Sequence, residues 1–175
     1  MKFSIFTASR RIQSLVNKIY PELPIVGLEI SDSAIHLAEL KKGSPTIRAN
    51  LLPPGIVEGG RVKNKDKLVC LLREFVGASY GGRKAGFVLT IPSSGVFVQT
   101  VNLPAIALRN LDEAAELNVR MVSPLRQGEF YCDWQRVRRD EAEGGPIELL
   151  GVFVSRETID SFADCFRAAD LNLVA

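Results

Sequence analysis

Side chains able to do chemistry are present in this chain, but few of them are spaced to act together. His36 is the only histidine. It lies inside a strand-like run with no serine or cysteine motif around it, which argues against a nucleophile and base pair and reads as a surface or edge residue. A phosphate loop of the GxxxxGKS or GxxxxGKT kind is missing. The nearest basic glycine stretch, Gly81-Gly82-Arg83-Lys84, leads into a strand rather than a helix, so it offers an anion no helix N-terminus. Glu113 and Glu116 fall on a helical pattern, and Asp140, Glu141 and Glu143 fall in a polar loop, where all five read as solvated charge. Phe130, Tyr131 and Trp134 beside Arg136, Arg138 and Arg139 suggest a stacking platform for single-stranded nucleic acid, but core packing accounts for them better. Cys70, Cys132 and Cys165 are scattered, odd in number and without a CxxC pair. That argues against a disulfide framework and a zinc site, and they read as reduced core residues.

The bulk numbers frame this. A chain of 175 residues that is 46% hydrophobic can bury a sizeable core as one domain or two small subdomains. Its 22 basic and 20 acidic side chains nearly cancel. No global field therefore points to nucleic acid, and no nucleic-acid partner is expected. No run reaches the roughly 18 apolar residues that span a bilayer. The N-terminus lacks a signal-peptide pattern, because Arg10 and Arg11 interrupt it. The cytoplasm is the expected location.

The elements that must position any site follow from periodicity. Ile12, Leu15, Val16 and Ile19 mark one helical face. Lys2, Arg10, Arg11 and Lys18 make that stretch basic, with no acid before Glu22. Residues 1–24 are thus expected to form an amphipathic basic segment, which either touches an anionic membrane surface through residues 1–20 or packs on its own domain. Residues 25–54 read as an antiparallel meander of strands at 25–30, 34–40 and 45–52, with Ser31-Asp32-Ser33 as a tight polar turn. Pro53-Pro54-Gly55 and Gly59-Gly60 break the pattern and place a boundary near Pro54.

Residues 55–169 then read as an α+β subdomain. Leu68, Leu71, Leu72, Phe75 and Val76 mark a helix closed by Gly77 and the Gly81-Gly82 loop. Strands at 86–91 and 96–103 are expected to pair as a hairpin through Pro92-Ser-Ser-Gly95. A second helix runs to Pro124. Strands at 130–138 and 147–154 follow, and a third helix has Ser155 as its N-cap and Glu157 in its first turn. One antiparallel sheet with helices on a face suits this order. Residues 170–175 read as the start of a returning strand.

One stretch is more specific than its physics. Val26-Gly-Leu-Glu-Ile-Ser-Asp-Ser-Ala-Ile-His-Leu-Ala-Glu-Leu40 resembles the first phosphate hairpin of actin-like ATPases, in the variant of the PilM family of type IV pilus assembly proteins and, more distantly, of FtsA. Leu52-Pro-Pro-Gly-Ile-Val-Glu-Gly-Gly-Arg-Val62 resembles the PilM crossover into its inserted subdomain. Ile91-Pro-Ser-Ser, Val101-Asn-Leu-Pro104 and Glu113 to Pro124 resemble the strand pair and the helix beyond it. In all, the resemblance spans about residues 25 to 175. It implies an α+β fold, a partial actin-like lobe with an inserted strand-helix-strand-strand module. The implied place is the cytoplasmic face of the inner membrane, and the implied partner is the N-terminal tail of a PilN-like membrane protein.

The resemblance also carries a nucleotide site. Backbone amides of Ser31, Asp32 and Ser33 would hold phosphate, and Glu29 would position magnesium-bound water, so ATP and magnesium are the cofactors implied for a complete protein. Two departures stand against it. The family hairpin reads Asp-Ile-Gly-Ser or Asp-Ile-Gly-Thr, whereas here it is Glu29-Ile30-Ser31-Asp32, which adds a side chain and a negative charge where phosphate must approach. The family's second phosphate hairpin and adenosine region should lie beyond residue 175. The expectation is therefore a scaffold rather than an enzyme. The alternatives are the N-terminal part of an actin-like ATP-binding protein or the cytoplasmic domain of a type II secretion platform.

Overall fold

The computed structural model describes residues 24–41, 43–80, 85–104, 110–137 and 147–175. In chain order these form β1 (Ile25–Ile30), β2 (Ala34–Lys41), β3 (Ser44–Leu51), β4 (Val57–Glu58), β5 (Arg61–Val62), α1 (Lys65–Tyr80), β6 (Gly86–Thr90), β7 (Val96–Leu103), α2 (Leu111–Met121), β8 (Phe130–Arg136), β9 (Ile147–Ser155), α3 (Arg156–Ala168) and β10 (Asn172–Leu173). They divide into two compact units, residues 24–95 with 158–175 and residues 96–157.

The first unit is built on β1. Val26, Leu28 and Ile30 alternate with Gly27 and Glu29, and the first set is buried. Period-two alternation on a pleated strand sends one set to the core and the other to the opposite face. β2 pairs antiparallel with β1, and β3 with β2, so the expected meander forms. On the other edge of β1, β6 pairs in parallel, and β10 pairs in parallel with β6, giving a five-stranded sheet of order β10-β6-β1-β2-β3. Leu68, Leu72 and Val76 of α1 and Phe162, Cys165 and Phe166 of α3 join Val26, Leu28, Ile30, Ile35, Leu37 and Phe87 in one core.

Both helix ends are closed locally. Asn64 caps α1, its Oδ1 accepting the Lys67 amide at 3.0 Å. At the end of α3 the Leu171 amide returns to the Phe166 carbonyl at 2.9 Å, and Asp170 takes the left-handed conformation (φ 58°) that glycine usually fills in such a stop. That turn sends residues 172–175 back along β6, where Val174 donates to the Phe87 carbonyl at 2.9 Å.

Two expectations are corrected. β6 and β7 do not form a hairpin: β6 joins β1, β7 joins β9, and a 3-10 turn at Ser93–Gly95 stands between them. The nearly all-apolar run of β6 suits an interior parallel strand, and Phe87 and Leu89 extend the buried row begun by Val26 and Leu28. Consequently residues 55–95 and 158–169, expected within the inserted module, cluster with the five-stranded sheet. α1 runs through Gly77, where a glycine weakens a helix by only about 1 kcal/mol, and ends at Tyr80, next in sequence to the Gly81-Gly82 pair expected to close it.

The second unit is a three-stranded antiparallel sheet of order β7-β9-β8. Ala115 and Val119 of α2 pack with Leu103, Phe130, Leu149 and Phe153. Gly151 makes that approach possible: a Cβ there would lie 3.1 Å from Val119 Cγ1. Phe130 meets Phe153 edge to face at 5.8 Å and Trp134 packs against the same core, while Arg156 lies 4.4 Å from the Tyr131 ring centre. The aromatic strand is thus core and cover, not an open stacking platform.

No disulfide joins the three cysteines; Cys70 is exposed and Cys132 half-buried, so only Cys165 is a fully buried core residue. Burial pushes the Cys165 thiol above its ordinary value, with Lys65 working against the rise and Asp164 and Asp66 adding to it. Among the described residues no helix is long and apolar enough to cross a membrane.

Phe166 is fully buried and meets Phe87 edge to face at 6.4 Å. Phe166→Ala should lower stability by about 3–5 kcal/mol, because it opens a cavity that the sheet cannot fill. Urea denaturation monitored by Trp134 fluorescence and far-ultraviolet circular dichroism measures it.

Candidate functional site

The residues singled out for phosphate chemistry lie at one end of β1. The register sets Glu29 opposite His36 on β2 and Thr90 on β6, on the face away from the core. Glu29 Oε2 approaches His36 Nδ1 at 3.3 Å, with both side chains well exposed. The contact lacks hydrogen-bond alignment, and the Nδ1 atom itself is shielded from solvent although the rest of the His36 ring is exposed. It is a surface pairing of modest value.

Beyond Ile30 the chain reverses through Ser31, Asp32 and Ser33, and the reversal is closed by its own groups. The Ser31 amide donates to the Ala34 carbonyl at 2.9 Å. The Ser31 hydroxyl donates to the same carbonyl at 3.1 Å and accepts the Ala34 amide at 3.1 Å and the Ser33 amide at 3.4 Å. The Ser33 carbonyl accepts the Leu52 amide at 2.8 Å, which ties the turn to the end of β3. Two of the three amides considered as phosphate donors, those of Ser31 and Ser33, therefore already have acceptors within the turn.

Asp32 faces a different group. Its Oδ2 accepts the Gly59 amide at 2.7 Å and its Oδ1 accepts the Gly60 amide at 3.1 Å. Gly59 and Gly60 form the turn between β4 and β5, with φ of 56° and 71°, a conformation in which glycine is at ease and other residues are strained. Gly60 is fixed twice, because a Cβ there would also lie 2.7 Å from Ser94 Oγ. Sequence reasoning took Gly59-Gly60 only as a break. The signal was there, since two glycines between Val57-Glu58 and Arg61-Val62 are the chemistry of a two-residue hairpin.

The other candidates are dispersed. Glu116 pairs with Arg120 at 3.1 Å along α2, as solvated helix charge does. Gly81 to Lys84, Arg138, Arg139, Asp140, Glu141, Glu143 and the basic segment 1–23 lie outside the described residues. Among the described residues no group of three or more His, Cys, Asp or Glu side chains is placed to hold a metal ion.

A mixed sheet with a turn-closed hairpin at one end and a three-stranded sheet with its helix define the class: an α+β fold. The sequence matches the family model described as "Type IV pilus assembly protein PilM" over residues 27–175, and the chain belongs to that family. Among solved structures it resembles a chain of a "PilM-PilN type IV pilus biogenesis complex" with a TM-score of 0.73 and 22% identity, over 89% of this chain and 47% of that one. It also resembles the cytoplasmic domain of EpsL, an inner membrane component of the type II secretion system of Vibrio cholerae, with a TM-score of 0.54 and 10% identity, over 85% and 54%. The chain thus spans about half the length of the solved structures it matches. No curated protein matches the sequence.

Gly60→Ala should destabilise the chain by about 1–2 kcal/mol through the left-handed backbone alone, and Ser94 must also move. Differential scanning calorimetry reads the total. Glu29→Gln should shift stability by less than about 1 kcal/mol, as expected for an exposed pair. A larger loss in the same calorimeter would mean that Glu29 is a structural residue and not a free carboxylate.

Proposed function

We infer that this chain acts as a binding scaffold in type IV pilus assembly, cytoplasmic and peripheral to the inner membrane, and that it captures the N-terminal tail of a PilN-like partner. Membership of the PilM family supports the pilus role. The likeness to the PilM of a complex with PilN supports the partner class. A short tail can bind by adding a strand or lying in a groove, modes that need no nucleotide.

One observation favours a scaffold over an ATPase: the hairpin turn is closed by Ser31. Its hydroxyl takes the Ser33 and Ala34 amides, and the Ser31 amide bonds to Ala34. A phosphate arriving at this turn would have to break those bonds and approach past a serine Cβ where the family has glycine. It would also meet the Asp32 carboxylate, a repulsion of roughly 1–4 kcal/mol per unit charge at 4 Å between the water and near-surface limits.

A second reading, the N-terminal part of an actin-like ATP-binding protein, draws support from the coverage of about half of each matched structure. In that reading Glu29 would order magnesium-bound water and Asp32 would be drawn aside. A type II secretion platform role is the weaker alternative, with a TM-score of 0.54 against 0.73.

Isothermal titration separates them. The tail peptide of a PilN-like protein should bind the chain saturably, with a Kd below about 100 μM, in the absence of nucleotide, and ATP with magnesium should give no heat of binding. Binding of ATP without binding of peptide would overturn the scaffold reading.

A further inference from the structure

We propose that the Gly59–Gly60 turn is an oxyanion-binding site that the chain fills with its own Asp32 carboxylate. The inference is independent of the partner assigned above. Two consecutive backbone amides point to one place, and the two oxygens of a single carboxylate take them at 2.7 and 3.1 Å. Convergent amides on a left-handed glycine turn form the kind of concavity that binds phosphate and carboxylate ligands. Charge-assisted hydrogen bonds of this length are among the stronger polar contacts a protein makes.

The donors are pre-formed and do not depend on Asp32 for their direction. Val57 pairs with Val62 and Glu58 with Arg61 across the turn. The Lys63 amide donates to the Ile56 carbonyl at 2.8 Å, and Ile56, Val57 and Gly60 are buried. Ser94 and Pro92 close against Gly60 from outside, so the turn has little room to relax. Arg61 follows immediately and adds positive charge next in sequence to the amides.

Among the described residues Asp32 is the side chain that takes both donors, and it arrives from an exposed turn 27 residues before Gly59. The ligand class is a small oxyanion: one tetrahedral or planar group offering two oxygens about as far apart as those of a carboxylate. Such a ligand must displace Asp32, and displacement frees the β1–β2 turn from the β4–β5 turn. Occupancy of the site and the tie between the two turns are thereby the same event.

The test uses the whole 15N-labelled chain, with inorganic phosphate as the probe at fixed ionic strength. The unsubstituted chain should show no saturable shift of the Gly59 and Gly60 amide resonances. Asp32→Ala should show both shifts together and saturably, at phosphate concentrations that leave the unsubstituted chain unshifted, because the charge-assisted pair that competes for the amides is gone. Asp32→Asn keeps the shape and one acceptor oxygen, and should respond less than Asp32→Ala at equal phosphate. It carries the test if Asp32→Ala loses the β4–β5 cross-strand signals. Silence of Gly59 and Gly60 in a folded Asp32 variant, or an equal response in the unsubstituted chain, overturns the proposal.

Discussion

Everything described depends on β1 being hydrogen-bonded along both of its edges. It pairs antiparallel with β2 and parallel with β6, and its alternation decides which side chains go where. A slip of one residue would turn Val26, Leu28 and Ile30 to solvent and Glu29 into the core, a cost of several buried aliphatic side chains at about 1.5–3 kcal/mol each. That penalty holds the register. It fixes Glu29 beside His36, ends the strand at Ile30, and so sets where Ser31 and Asp32 begin. The opposite face is less demanding: Leu40, Ile47 and Leu51 share it with Glu29 and His36 and are exposed.

With the strand fixed, the turn has one remaining problem, which is to satisfy amides that no ladder reaches. A phosphate hairpin leaves such amides open for its ligand and uses glycine so that the ligand can come close. Here a hydroxyl does the work from within, through two accepted bonds and one donated bond around Ser31. Each such bond is worth about 0.5–1.5 kcal/mol net. A turn closed this way is stable without a ligand, and the side chain that closes it also stands in the ligand's path. The substitution of serine for glycine therefore changes both the occupancy and the accessibility of the same few atoms.

Much of this was legible in the sequence, because it is local. The alternation of β1, the polar reversal at Ser31-Asp-Ser33, the meander into β3 and the apolar stripe of α3 at Ile159, Phe162, Ala163 and Phe166 are each written within a dozen residues. What failed was pairing between distant segments. An apolar run such as Gly86–Thr90 carries no label for its neighbour, and adjacency to β7 suggested a hairpin where the buried row of β1 offered a better match. The Glu29, Ser31, Asp32 and Ser33 set can be singled out from its local pattern, but the groups that engage Asp32 cannot. Gly59 and Gly60 read as punctuation until a carboxylate was found on them.

That long-range bond is less costly than its span suggests. Closing a free loop of 27 residues costs roughly 3 kcal/mol, about what two charge-assisted bonds return, so on its own the contact would be marginal. The meander changes the balance. β3 runs antiparallel to β2 and brings Leu52 back to the Ser33 carbonyl at 2.8 Å, right beside Asp32. Only the short stretch from Leu52 to Gly59 remains to be closed, and Leu52, Ile56 and Val57 on it are already buried in the core. The entropy of bringing the two turns together is thus met by sheet pairing and apolar burial. Most of the energy of the Asp32 bonds is left to hold the carboxylate on the amides.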